Sequence, residues 1–361
     1  MNVVKGVDMA LEISTKLFSY RSLIILVLFI LLLILIPIAS SIGLYRVTFL
    51  DVVRVSLGHK LPEDEYIALW LRMRRTFVGI IVGALLAGGG VVSQAVFKNP
   101  LASPFTLGIS HAAALGVAVS LTIGYGGRFY TWFTAISNPY ILPFSAFIFA
   151  SIQSILVLFL AYRAGLSPYA LVLSSIAMSF IYQSILAILQ YLVLNELQIA
   201  TIVFWMFGDL SRVGNLELLI LAVGFIPITL LYMFMHLDLD LISLSDEVAY
   251  ASGTNPKRLR FIAMFIAALG TAFAISFVGI LAFLCLVAPH IARSIIGNSH
   301  KYLIPSSMLI GSILAVGADI VSRVILFPRT LPIGIVLSFI GTPLLIFLLF
   351  RGGGYSYHKG Y

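Results

Sequence analysis

Asp319 is the one acid set deep within a long apolar run of this sequence, and Arg323 follows it by four residues. That spacing puts both side chains on one face of a helix. A lone carboxylate in such a place would serve as a proton or sodium site. A carboxylate beside a guanidinium instead neutralises and orients it, and the spacing favours this pairing. Three more arginines cluster at Arg72, Arg74 and Arg75. Arg72 and Arg75, three apart, share a helix face that Arg74 does not. Such guanidiniums suit bidentate capture of carboxylates on a partner; the plainer expectation is snorkelling to lipid headgroups. His111 and His290 stand too far from other ligands to predict a metal site. No G-x-x-x-x-G-K-S/T occurs, so the chain has no P-loop with which to bind ATP.

The largest polar island, 238–260, has a helical logic of its own. Ser245 is placed as an N-cap, with Asp246 and Glu247 in the first turn, where acids complement the helix dipole. Val248, Ala249 and Ala251 continue a short helix of small residues. Gly253 is a stop, and Asn255-Pro256 opens the next helix. Two short helices are therefore expected to meet at Gly253, outside the apolar layer. They form either an amphipathic connector or a docking element received into a groove of a soluble partner.

The elements that must position these residues are membrane helices. The chain is 61% hydrophobic and 10% charged, with a mean hydropathy of +1.09; water-soluble domains carry about 25% charged residues. Its apolar runs are continuous rather than alternating, which predicts helices and not a barrel. At roughly 20 residues per crossing, the pattern predicts one all-α domain over 1–361 with about ten spans. They fall near 22–43, 66–97, 105–123, 141–163, 168–193, 217–236, 258–279, 280–297, 301–326 and 332–350. Prolines punctuate many of these, and Pro289 is expected to kink or break its run. Residues 196–212 are too short and polar to span; they predict a re-entrant or interfacial helix with Trp205 and Phe207 at headgroup depth.

Lys5, Lys16 and Arg21 precede an apolar run too long for a signal peptide, so the run is expected to be a retained first span behind a cytoplasmic segment 1–20. An even number of spans then puts both termini on the cytoplasmic side. Twelve of the 22 Lys and Arg lie inside on this topology and ten outside, the latter swollen by the Arg72–Arg75 cluster. The net charge of +8 suits basic loops beside anionic lipid, and nucleic acid is set aside. Cys285, the single cysteine, excludes an intrachain disulfide. Glycines inside the spans suit close helix packing; the triplet Gly88-Gly89-Gly90 suggests a flexible or pore-adjacent segment.

Eight segments in order resemble the FecCD family of ABC-transporter permeases, importers of iron complexes, haem and cobalamin. They are RMRR at 72–75, GALLAGGG at 83–90, QAVFKNPLASP at 94–104 and LGIS at 107–110. Further on come DEVAYASG at 246–253, LVAPHIAR at 286–293, ADIVSR at 318–323 and LPIGIV at 331–336. The resemblance covers about 66–350. Arg74 stands where the family usually has proline, and Gly89-Gly90 where it has a serine-glycine pair. The first 20 residues and the Gly/Tyr-rich tail 352–361 match nothing in it.

The resemblance implies a type II importer permease in the plasma membrane, with ten helices per subunit and two internally related halves. It implies a homodimer with the pathway at its interface and alternating access. Two cytoplasmic ATPase subunits would carry ATP and Mg, this chain binding no cofactor and catalysing no covalent step; an extracytoplasmic binding protein would deliver the substrate. By residue, 238–257 would be the coupling helices, engaging the ATPase through Asp246, Glu247, Ala249, Ala251, Gly253 and Pro256. Arg72, Arg75 and Arg323 would receive acidic residues of the binding protein, Asp319 orienting Arg323. Asn99, Pro100 and Leu101, with Ser167, would form the cytoplasmic gate. The substrate expected is an iron–siderophore, haem or cobamide complex. The rivals are an ion-coupled transporter using Asp319 and a structural or sensory membrane subunit.

Overall fold

A computed structural model describes residues 2–43, 45, 47–59, 61–125 and 140–352. Among these residues there are helices and no strands. In chain order they are α1 (Asn2–Ser41), α2 (Phe49–Ser56), α3 (Glu63–Phe97), α4 (Ile109–Ser120), α5 (Ile141–Arg163), α6 (Pro168–Leu192) and α7 (Glu196–Met206). There follow α8 (Asn215–Phe234), α9 (His236–Leu244), α10 (Asp246–Ala251), α11 (Pro256–Val278), α12 (Leu284–Ile296), α13 (His300–Val324) and α14 (Ile333–Gly352).

Seven of these are long and apolar enough to cross a membrane: α1 from Tyr20, α3, α5, α6, α8, α11 and α13. The shorter apolar helices α4, α12 and α14 lie at the three remaining expected spans. The expected tail falls almost wholly in 353–361, outside the described residues.

α3 is the axis of the bundle. It packs against α13, α11, α12, α8 and α1, and its apolar stretch is 83% buried, against 11% for α1 and for α8. Its small residues explain how it is reached from so many sides. A Cβ added at Gly83 would sit 2.4 Å from the Gly311 carbonyl oxygen of α13, and one at Gly90 would sit 2.0 Å from that of Cys285 in α12. At Gly88 it would meet the ring of the fully buried Tyr232 at 2.7 Å. The triplet Gly88-Gly89-Gly90 is thus a packing notch, not the flexible or pore-adjacent segment that its composition suggested.

Of the two outcomes expected at Pro289, the break is corrected. Pro289 lies within α12 and does not end it; the break comes earlier, where 279–283 leaves the helix. Unwound backbone is tolerated at membrane depth only where protein buries it or where it lines a water-filled cavity. Here Gly279 and Leu281 are buried, and the Val278 carbonyl accepts from the Asp209 amide at 2.7 Å. Trp205 is 1% exposed, facing the bundle from α7, whereas Phe207 is exposed.

Candidate functional site

The expected site residues gather at opposite ends of α3, which separates Arg72 from Lys98 by 26 residues, or about 40 Å of helix.

At the Arg72 end the arginines turn inward. Arg72 is 8% exposed. Its Nη1 donates to the carbonyls of Ser40 (3.3 Å) and Ser41 (3.1 Å), and its Nη2 to that of Tyr45 (3.0 Å). Arg323 Nη1 donates to the Ile42 carbonyl at 2.8 Å. A helix leaves its last four carbonyls without intrahelical donors, and these two guanidiniums serve the end of α1 and the chain leaving it. Asp319, fully buried, is the shared counter-ion: its Oδ2 lies 3.1 Å from Arg323 Nη2, and its Oδ1 is bonded to Arg75 Nε. Arg75 also approaches Asp209 (3.9 Å) and donates to Ser322 (3.4 Å). Arg74 points apart from them, donating to Asn215 Oδ1 at 3.2 Å.

The expected Asp319–Arg323 pair is therefore present, but Asp319 serves Arg75 as well. A cavity of about 370 Å³ opens beside the cluster, lined among others by Gly43, Asp64, Arg72, Arg323 and Phe327. The α1 carbonyls and Asp209 were not legible beforehand. The one general signal was that α1 must end somewhere with its carbonyls satisfied.

At the other end, α3 closes on Lys98 in the left-handed conformation (φ 50°). The Lys98 and Asn99 amides bond back to the Ala95 and Gln94 carbonyls. Asn99 Oδ1 accepts from the Leu101 amide (2.9 Å) and its carbonyl from the Ala102 amide (3.0 Å). Asn99, Pro100 and Leu101 are exposed at the tip. Ser167 begins α6 as an N-cap, accepting from the Ala170 amide at 3.1 Å. The turn that carries it lies at this same end, since Tyr162 packs edge-on to Phe261 in the second turn of α11.

Beside this turn lies the polar island. Ser245 caps α10 as expected, its Oγ accepting from the Val248 amide at 3.1 Å. Ala249 is buried, while Glu247 and Ala251 are exposed. Gly253 has φ 87° and open space around it, and Asn255 and Pro256 begin α11. The expectation of two short helices meeting at Gly253 is corrected: they are α9 and α10, meeting at Ser245, and Gly253 leads instead into the long span α11.

Sequence reasoning missed how the island's acids are used. Asp246 accepts from Lys98 Nζ at 3.1 Å and from Arg260 Nη2 at 2.7 Å. Asp240 accepts from the amide and Nδ1 of His300, at 2.9 and 2.6 Å, at the start of α13. Asp238 accepts from Thr254 Oγ1 at 2.8 Å. Partial burial pulls the Asp240 carboxyl up, but the His300 hydrogen bonds and charge outweigh it and hold it below its ordinary value. Asp246 is held low in the same way by Arg260 and Lys98, against its partial burial.

A helical bundle with charge-bearing ends and a long apolar flank is a multi-pass membrane protein. The FecCD transport family profile matches residues 29–351, and the chain belongs to that family. It is 38% identical over 315 residues to a protein of Methanocaldococcus jannaschii assigned as an ABC transporter permease, covering 87% of this chain and 90% of that one. It is 35% identical over 328 residues to the Fe(3+)-citrate import system permease protein YfmE of Bacillus subtilis, covering 91% and 94%. Among solved structures it is similar to a metal-chelate type ABC transporter in an inward-facing conformation, with TM-score 0.79 and 26% identity over 91% of this chain and 99% of the other.

Proposed function

We propose that this chain is the membrane permease of an ATP-driven importer for a metal chelate, with an iron–siderophore or ferric citrate complex as cargo. The observation that carries the proposal is the family match across 29–351, on a fold whose two polar sites lie at opposite ends of one central helix. Relatives named for ferric citrate and ferric hydroxamate import support iron chelates over haem or a cobamide. The permease works as a homodimer in the plasma membrane with both termini cytoplasmic, and alternates access as two ATPase subunits bind and release nucleotide. The ATPase receives α10, through Asp246, Glu247, the exposed Ala251 and the turn from Gly253 to Pro256, with Ala249 packing the helix down. The turn Asn99–Leu101 and the Ser167 cap form the inner gate.

At the outer end, a carboxylate of a binding protein entering the cavity meets Arg72 and Arg323, with Arg75 behind them. The cavity lined by Arg72 and Arg323 supports docking of an acidic partner, whose affinity is expected to fall as salt rises. Asp319 is engaged by two arginines, which argues against a free ion-coupling carboxylate.

The test is reconstitution of the chain with its ATPase and binding protein in proteoliposomes. ATP-dependent uptake of ferric citrate or a ferric hydroxamate is expected. Uptake that survives ATP depletion but collapses with an ion gradient would sink the proposal.

A further inference from the structure

Three of the island's four acids, Asp238, Asp240 and Asp246, bond to three different places. Asp238 closes the island on itself through Thr254. Asp240 holds the start of α13 through His300. Asp246 alone reaches the turn behind α3.

Its two partners differ. The Arg260 side chain is 8% exposed, fixed in the first turns of α11. The Lys98 and Asp246 side chains are 35% and 36% exposed. A pair that open contributes little to stability, so its presence asks for another account. Lys98 is also the residue on which α3 ends, in a left-handed conformation uncommon for a side chain of its kind. Beyond it the chain is tied by the Asn99-to-Gln94, Leu101-to-Asn99 and Ala102-to-Asn99 hydrogen bonds. Those bonds make 98–102 one unit, so a pull on Lys98 turns the exposed Asn99–Leu101 tip instead of dissipating in a floppy loop.

We propose that the Lys98–Asp246 bridge is the link that carries movement of α10 to the Asn99–Leu101 turn, with Arg260 as its fixed anchor. Lys98 is thereby a positioning residue for coupling: it acts through the turn. The inference rests on the proposed function, and it adds the residue that joins the ATPase-docking helix to the inner mouth.

The test uses the complete assembly of permease, ATPase and binding protein in proteoliposomes. Uptake of ferric citrate and of a ferric hydroxamate is measured against phosphate released. K98A is expected to lower uptake per ATP about tenfold, within the range of ordinary coupling between sites, while ATPase binding and hydrolysis persist. K98R restores the ratio. In a second readout, the native Cys285 is replaced by serine and Leu101 by cysteine; Cys285 is buried and is the sole background thiol. The labelling rate at 101 should change with nucleotide, and K98A should abolish that change. If K98A does not assemble, K98Q keeps the length and reads the same quantities.

Wild-type uptake per ATP in K98A, or loss of ATPase binding in it, would each overturn the link while leaving the proposed function standing. Wild-type assemblies that hydrolyse no ATP and import neither chelate would overturn the proposed function itself, and the link with it.

Discussion

The two ends of α3 carry similar charges and use them differently. At the Arg72 end, Asp319 is fully buried beneath Arg75 and Arg323, and the arginines also hold backbone carbonyls of α1 and the chain that continues from it. At the Lys98 end, Asp246 is about a third exposed and its partners include an equally exposed lysine. Burial decides what such a pair can do. Breaking a buried pair leaves an uncompensated charge in the interior, whereas a wet pair can open at small cost. The first end is therefore built to stay closed and the second to be rearranged.

The largest test of that contrast is Asp319→Ala. It strands Arg75 and Arg323, and a loss of about 3–5 kcal/mol is expected, read as a collapse of the unfolding temperature in detergent. Asp319→Asn, which keeps the shape, should be milder and resemble a partial Arg323 defect. If it abolished transport with folding and docking intact, an ion-coupling role for Asp319 would return.

Next in size is Arg72→Gln. It removes donors to the Ser40 and Ser41 carbonyls of α1 and to that of Tyr45 beyond it, at a cost of about 1–3 kcal/mol, with faster proteolysis between α1 and α3 as the sign. Unchanged stability would mean that the buried cluster is no brace.

At the opposite end the contrast narrows to neighbouring alanines. Ala249→Arg should loosen the island because Ala249 is buried; Ala251→Arg should leave the fold alone and weaken ATPase binding. Equal effects on folding would contradict the arrangement of α10. Lys98→Ala, which removes only the pair exposed on both sides, should cost only about 0–1 kcal/mol of stability, and a larger loss would mean that this end is as rigid as the other.

Smallest is the response to acid. Asp240 and Asp246 have carboxyls held below their ordinary values in the folded protein. Their stabilisation is present above the ordinary carboxylate range and is lost as pH falls through the depressed values. Between pH 7 and 5 neither contributes a slope. Below about pH 4 the unfolding temperature should drop, and Asp240→Asn should flatten that drop.

Much of this was open to reading from residue order alone. The ten apolar runs could be counted because a bilayer asks for a minimum length of apolar helix from each crossing, whatever its neighbours. The cap at Ser245 and the stop at Gly253 were legible because capping is local chemistry, completed within three or four residues. The Asp319–Arg323 pair was legible for the same reason. Composition misled at Gly88-Gly89-Gly90, where small residues alone do not say whether the space beside them is empty or filled. The burial of Trp205 became known only with its neighbours in place.

Local pattern therefore set where helices begin, where they end and which segments cross. It could not say which arginine would complete which acid. Arg75 meets Asp319 across 244 residues, and Lys98 meets Asp246 across 148. Charge carries no record of its partner's address along a chain, and every acid is attractive to every base until packing excludes the rest. Those choices were made when Gly83 and Gly311 let α3 and α13 approach to backbone contact and the bundle closed around them.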